Sequence, residues 1–455
     1  MRRSGSAVLW AISLGACASS SPPDAAPRPD AGAAVSTLFD AGAIYGSMGL
    51  LVSGPPLPFV ATIQYLADAT PDSTLALFAL SLSNHALLFQ REGRGFAAQY
   101  HVDVAFRGAD SGSGREFATD ESVRVGTLQE AQRADESVIY QRFIGVPPGV
   151  YHVFVTVRDR SGPAASHRER TDTVPRFAGP ALSAPIAVYQ ATGRSRASEV
   201  PTLLVNPRSM LSYGADSLRF YVEAYGVKPG TRLSARAIDQ AGHDVWHDTL
   251  ALKGSETVAT ALAVLRPGEL PVGQGRFEVA PVGAAALGPH STRFLVSFSD
   301  QWAITNYDEM ISLLRYFERQ DWVDKLRRAP PEQRPEVWRE FYKATDPVAV
   351  TPENEALEAY FRRVQYANQR FREAGEPGWL TDRGEVLISL GEPDDVYEFS
   401  TEVTRAGTRG VRWTYNTLRV TLFFQDQSGF GRFRLTPLSR AEFQRALAQV
   451  RARAR

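Results

Sequence analysis

The chain has 455 residues, more than one hydrophobic core holds, and a prior of about 100 to 200 residues per domain predicts roughly three folded units. Lys plus Arg equals Asp plus Glu at 50 each, so no net field draws the molecule to nucleic acid or to an acidic substrate. The single cysteine excludes an intrachain disulfide, a cysteine-rich zinc cluster and a paired-thiol catalyst.

In chain order, Arg2-Arg3 followed by the apolar run from Ala7 to Ile12 reads as an export signal, too short for the roughly 20 apolar residues a bilayer requires. Leu14-Gly15-Ala16-Cys17 resembles the lipobox of bacterial lipoproteins, which implies cleavage after residue 16 and lipidation of Cys17. Ala18, rather than Asp, in the next position resembles lipoproteins sorted to the outer membrane, facing the periplasm or the cell surface. Residues 17–42, with Pro22, Pro23, Pro27 and Pro29 and almost no large apolar side chain, are expected to be a disordered tether.

From 43 to 179 the period is two. Phe96, Ala98, Tyr100, Val102, Val104 and Phe106 alternate with polar or small residues, and Pro147-Pro148-Gly149 leads into a second alternating run, Tyr151 to Val157. Phe59–Tyr65 and Thr74–Leu82 supply further strands. The Pro-Pro-Gly-x-Tyr lead-in resembles Ig-like and fibronectin-like modules, and many strands without intervening helices predict an antiparallel β-sandwich. The charged stretch Ser161–Pro180 is expected to be a boundary. A second sandwich is predicted for 180–299, with strands at Leu218–Tyr225, Leu233–Ala237, Val245–Leu250, Arg276–Val279 and Phe294–Phe298. In the first of these, Leu218, Phe220, Val222 and Ala224 alternate with Arg219, Tyr221, Glu223 and Tyr225.

The period changes near residue 306, and 300–455 reads as an α+β domain of helices packed on a small antiparallel sheet. Asn306 with Glu309 forms a capping box before Met310, Leu313, Leu314 and Phe317. Pro335 suits a first turn, Asp346-Pro347 ends that helix, and Thr351-Pro352 opens a third, with Leu357, Phe361, Val364, Asn368 and Phe371 on one stripe. Pro377-Gly378 then ends it, Trp379 is a large apolar anchor, and Thr381-Asp382-Arg383-Gly384 has the composition of a type I turn. The run Glu385–Leu390 is expected to be a strand, broken at Gly391-Glu392-Pro393-Asp394. Strands at Val396–Phe399, Val411–Tyr415, Leu418–Phe424 and Arg432–Leu435 follow, with a hairpin turn at Asp426–Gly429. Ser439 and Glu442 cap a last short helix.

From about Trp302 to Phe433 this pattern resembles the bacterial GWxTD domain family, with signature residues Gly378, Trp379, Thr381, Asp382, Arg383, Gly384, Gly391, Pro393 and Asp394. Where such domains usually show Tyr-Gly-Pro-Pro-Asp, this chain has Leu390-Gly391-Glu392-Pro393-Asp394. The resemblance implies architecture and location rather than an activity.

No phosphate-binding loop, dinucleotide fingerprint, nucleophile elbow or His-Glu-x-x-His is present, and all seven histidines lie at or before His290. Chemistry in the C-terminal domain would therefore rest on carboxylates. Asp382, Asp394 and Asp395 are the candidates, converging if both turns meet at the ends of one strand. Capping of backbone N–H groups explains Asp beside Gly and Pro equally well, so no catalytic residue is assigned. His243 and His247 would share a strand face about 13 Å apart at roughly 3.3 Å per residue, too far for one ion, so no metal is assigned either. Gly214-Ala215-Asp216-Ser217 reads as a turn into a strand. Residues 400–455 carry eleven Arg against three acids, while 301–399 carry thirteen Lys or Arg against twenty acids. The two halves are expected to neutralise each other across the fold. A lipid-anchored envelope scaffold that binds another envelope protein is the expected function, without cofactor or nucleic acid. The alternative is a carboxylate-dependent hydrolase of envelope glycan or peptide.

Overall fold

The computed structural model describes residues 41–453, apart from 109–113, 134, 215–216, 229, 284–286, 300–301, 303, 349–353, 374, 402–407 and 427. Cys17, nearly all of the expected tether, Ala215-Asp216 and the Thr351-Pro352 helix start lie outside the described residues.

The first unit is two facing antiparallel sheets. One orders Leu51–Ser53, Phe59–Ala67, Thr74–Leu82 and Val138–Val146; the other orders Gln90–Glu92, Gly95–Gly108, Gly149–Asp159 and Ala165–Val174, with Gly114–Val125 also paired to Gly95–Gly108. Phe78, Leu80, Val102, Val104, Val153 and Val155 meet between them. The Tyr151 hydroxyl donates back to the Pro147 carbonyl (3.0 Å) and fixes the turn into its strand. Ala165–Val174 corrects the expected boundary: Arg168, Glu169, Arg170 and Asp172 lie in a strand paired with Gly149–Arg158. Alternating charges suit a strand at a sheet edge, where they discourage further pairing.

The second unit opposes a sheet built on Ile186–Thr192, Leu218–Tyr225 and Ala259–Leu265 to one ordered Met210–Ser212, His290–Ser297, Gly273–Pro281, Arg232–Asp239 and Asp244–Ala251. Phe220 stacks on Phe277 across the interior, with centroids 4.2 Å apart. The strand Leu218–Tyr225 does not have the polar second face its alternation predicts, because that face is covered. Tyr221 packs with Ile186, Val188 and Leu203 against Leu75, Leu77 and Ala79 of the first sandwich, which is why Thr74–Leu82 is buried along its whole length. The covered face carries one ion pair, Arg194 to Glu223 (2.8 Å), both side chains almost fully enclosed. Glu223 also accepts the hydroxyls of Tyr221 and Tyr225 at 2.7 Å, and Arg194 reaches the Ala67 carbonyl of the first sandwich at 2.6 Å. Such a pair is tolerable in a buried interface because its polar atoms are so fully partnered. A helix at Ala41–Ser47, beginning inside the expected tether, packs Tyr45 with Val60, Met210 and Leu295 at the same joint.

The C-terminal unit carries four helices before the Gly-Trp turn among the described residues, one more than expected: Tyr307–Leu313, Gln320–Arg328, Arg334–Thr345 and Glu355–Arg370. Asn306 caps the first, its side chain accepting from the backbone of Asp308 and Glu309 (2.9 and 3.1 Å). That helix stops at Leu313, so Phe317 follows a short 3-10 turn rather than continuing the stripe. Pro335 sits in the first turn of the third, and Asp346 ends it. A four-stranded antiparallel sheet, Asp395–Thr401, Thr408–Tyr415, Val420–Asp426 and Phe433–Leu435, follows in that order. The last helix spans Pro437–Arg453, longer than expected. It begins earlier than Ser439: the Thr436 hydroxyl accepts from the Ser439 amide, and the Ser439 hydroxyl accepts from Phe423 N (2.9 Å). The apolar core of the second sandwich runs without a break into these helices, through Phe298 on Trp338 (4.6 Å) and Trp302 on Phe361 (4.1 Å). No helix among the described residues is long and apolar enough to cross a membrane.

Candidate functional site

Residues 382–390 form an α-helix, not the strand that Val386-Leu387-Ile388-Ser389-Leu390 suggests. A short run buried on every side satisfies either period, and here the local signals decide it: Thr381 is the N-cap, and Asp382 and Glu385 sit in the first turn, where the helix dipole favours them. The fully buried Thr381 hydroxyl accepts from Gly384 N (3.1 Å) and donates to the Gly378 carbonyl (2.8 Å). One side chain thus closes the 3-10 turn Gly378–Leu380 onto the helix that follows.

This closure explains both glycines. A Cβ on Gly384 would lie 2.0 Å from the Gly378 carbonyl oxygen, and one on Gly378 would lie 2.2 Å from the Ala367 carbonyl oxygen of the preceding long helix. Backbone meets backbone at both places, so a side chain has no room. Trp379, buried, packs edge-on against Tyr316 (6.3 Å). The backbone carbonyl of Asn368 also lies against this turn, 2.8 Å from the same would-be Gly378 Cβ.

The charged motif residues reach forward in sequence. Asp382 Oδ2 accepts from Leu435 N (2.7 Å), tying down the last strand, and Oδ1 pairs with Arg440 of the last helix (2.7 Å). Arg440 also holds Glu385 at 2.7 Å. Arg383 lies between two rings, 4.1 Å from Phe433 and 5.1 Å from Phe371, and contacts the buried Glu373 at 3.4 Å. Burial pulls its guanidinium below the ordinary arginine value, with the Glu373 carboxylate opposing that shift. Glu373 accepts in turn from Phe433 N (3.1 Å) and Arg434 (2.9 Å), and Arg434 reaches Glu376 at 2.6 Å. The surplus arginines of the C-terminal stretch therefore meet the surplus acids before it, as the charge pattern predicts.

At the far end, Gly391 closes the helix in the left-handed region (φ 87°), donating to the Leu387 carbonyl (2.9 Å), and its own carbonyl accepts the Tyr415 hydroxyl (3.0 Å). Burial raises the Tyr415 hydroxyl well above the ordinary tyrosine value. Pro393 follows the cap, and Asp394 accepts from Asn416 N (2.6 Å). Asp395 pairs with Arg412 (3.2 Å). Asp382 and Asp394 thus sit at opposite ends of a nine-residue helix, about 13 Å long at 1.5 Å per residue, and do not converge. Sequence reasoning missed Glu373, Arg434 and Arg440, whose only advance signal was the charge asymmetry.

Elsewhere, the His243 ring faces Asp239 (3.3 Å), and His247 lies opposite Arg236 in the neighbouring strand. Residues 286–432 match the family model described as GWxTD domain. No curated protein matches the chain.

Proposed function

Residues 286–432 of this chain are a GWxTD domain, and from that premise we propose a non-enzymatic, protein-binding scaffold of the bacterial cell envelope, anchored to lipid through Cys17, most naturally at the outer membrane. The observation that carries the reading is the first strand of the domain's sheet. Asp395–Thr401 pairs only with Thr408–Tyr415 among the described residues, so one row of its backbone N–H and C=O groups has no strand beside it. Val396 and Tyr397 on it are more than half exposed, and Arg412 lies over the Tyr397 ring at 5.1 Å. An open edge with apolar, tyrosine and arginine side chains suits an extended segment of another protein added as a further strand.

The hydrolase reading would need two carboxylates on one opening. The oxygens of Asp382 are engaged by Leu435 N and Arg440, and Asp394 lies beyond the other end of the helix. Lipid attachment rests on Leu14 to Cys17 and on stable anchoring by several acyl chains. A photo-crosslinking residue at Val396, compared with one at Arg445 on the last helix, tests the reading in intact cells. It predicts one recurrent envelope partner captured from Val396 alone and membrane release by Cys17→Ser. Equal capture from both positions, with glycan or peptide cleavage by the purified chain, would reverse it.

A further inference from the structure

A cleft of about 700 Å³ opens where all three units meet, within the range of small-molecule sites. The loop at Asp135-Glu136 contributes from the first sandwich, Tyr189 and Arg219 from the second, and the helix Arg334–Thr345 forms the opposite wall. Its apolar lining includes Phe298, Trp338 and Tyr213, and Tyr189 and Tyr342 add half-buried rings. Gly214, in the left-handed region (φ 84°), brings the floor against this helix: a Cβ there would lie 3.0 Å from the Pro335 carbonyl oxygen.

The acids of the cleft already have partners. Asp135 pairs with Arg133, Glu136 takes the Tyr189 hydroxyl and lies 3.6 Å from Arg208, and Glu358 is itself engaged. Arg219 donates to the Tyr189 carbonyl (3.1 Å). Arg339 and Lys343 differ: both are exposed, both line the cleft, and neither forms a hydrogen bond or ion pair among the described residues. Four residues apart on one helix, they stand on adjacent turns, roughly 5–6 Å apart at Cβ. Two uncommitted cations beside aromatic walls make the cleft complementary to an anion on a flat apolar body.

We propose that this cleft binds a small organic anion, a carboxylate or phosphate monoester carried on an aromatic or similarly flat apolar group. Arg339 and Lys343 hold the anion, and Tyr189 and Tyr342 flank the body. The site is independent of the scaffold reading and of the strand Asp395–Thr401, so either can fail alone. Titration calorimetry of the full chain with 1-naphthyl phosphate, 1-naphthoate, 1-naphthol and inorganic phosphate tests it. The phosphate and carboxylate arms separate the two anion sources. One or both naphthyl anions are expected to bind one to one, at least tenfold more tightly than 1-naphthol or inorganic phosphate. Binding should weaken at least tenfold in Arg339→Gln/Lys343→Gln, which keeps the helix and is expected to melt with the parent chain. If the double variant melts lower, the single variants Arg339→Gln and Lys343→Gln provide the comparison. No binding by either anion, equal binding of 1-naphthol, or anion binding unchanged in the variants would overturn the proposal.

Discussion

Gly384→Ala sets two known effects against each other, and the structure decides which wins. On propensity alone, alanine in a helix is favoured over glycine by about 1 kcal/mol. The added Cβ, however, would lie 2.0 Å from the Gly378 carbonyl oxygen and 3.0 Å from the Trp379 Cα. Both are backbone atoms, held by the Thr381 hydroxyl and by the packing of Gly378 on Ala367. Forcing a methyl into a packed site costs about 1–3 kcal/mol and sometimes more. With no side chain able to swing aside, the upper end applies, leaving a net loss of about 2 kcal/mol. For a unit of 150 to 250 residues that lowers the melting temperature by about 4–8 °C. Gly46→Ala is the control: it lies in the helix Ala41–Ser47 with nothing within 4 Å of the new Cβ, and should melt with the parent chain or slightly above it. Thermal unfolding of the three proteins by calorimetry makes the comparison. A Gly384→Ala chain that melts at or above the parent would refute the close-approach explanation of the motif.

Removing the carboxylate of Glu373, almost wholly buried between Arg383 and Arg434, should destabilise by about 3 kcal/mol in Glu373→Ala, read by chemical denaturation, because it strands the enclosed Arg383 guanidinium. Residues 300–455 produced alone should give a broad, non-cooperative melt, since the cut exposes Trp302, Ile304 and Trp338, which belong to one core with Phe298; a sharp transition would contradict this. Partial burial holds His290 below the ordinary 6.5, so on acidification the unfolded chain takes up its proton first. Stability from this group is therefore present above about pH 6.5 and lost as pH falls through the folded value, and His290→Gln should reduce the stability difference between pH 7.5 and 5.5, read by chemical denaturation at the two pH values.

What the sequence conveyed best was periodicity over long stretches. Alternation through Phe96–Phe106 and Tyr151–Val157 placed strands that the structure extends to Gly95–Gly108 and Gly149–Asp159. Short-range capping was legible too, at Asn306 and at Pro335. Two readings failed because a neighbour remote in sequence overrode a local pattern, and a third because a local capping signal outweighed an ambiguous apolar run. Glu223 has the polar place of an alternating strand, yet the first sandwich covers that face. Arg168–Asp172 has the composition of a linker, yet it pairs as an edge strand. The run after Gly384 is apolar at nearly every position, so period alone could not separate a buried strand from a buried helix, and the Thr381 cap with Asp382 and Glu385 was the overlooked signal. The signature glycines were visible as residues but not as contacts, because Gly378 and Gly384 are defined by carbonyls brought to them from elsewhere in the fold.

The motif acids act as fasteners, and Asp382 holds the last strand and the last helix onto the helix that the motif begins. Amide hydrogen exchange at Leu435 tests this most directly, since its N–H donates to Asp382 Oδ2 at 2.7 Å. In Asp382→Ala, protection at Leu435 should fall markedly and the first turns of Pro437–Arg453 should exchange faster, while protection in the strand Gly149–Asp159 of the first sandwich stays at the parent level. Unchanged protection at Leu435, with the last helix as slow as in the parent chain, would mean that Asp382 holds neither element.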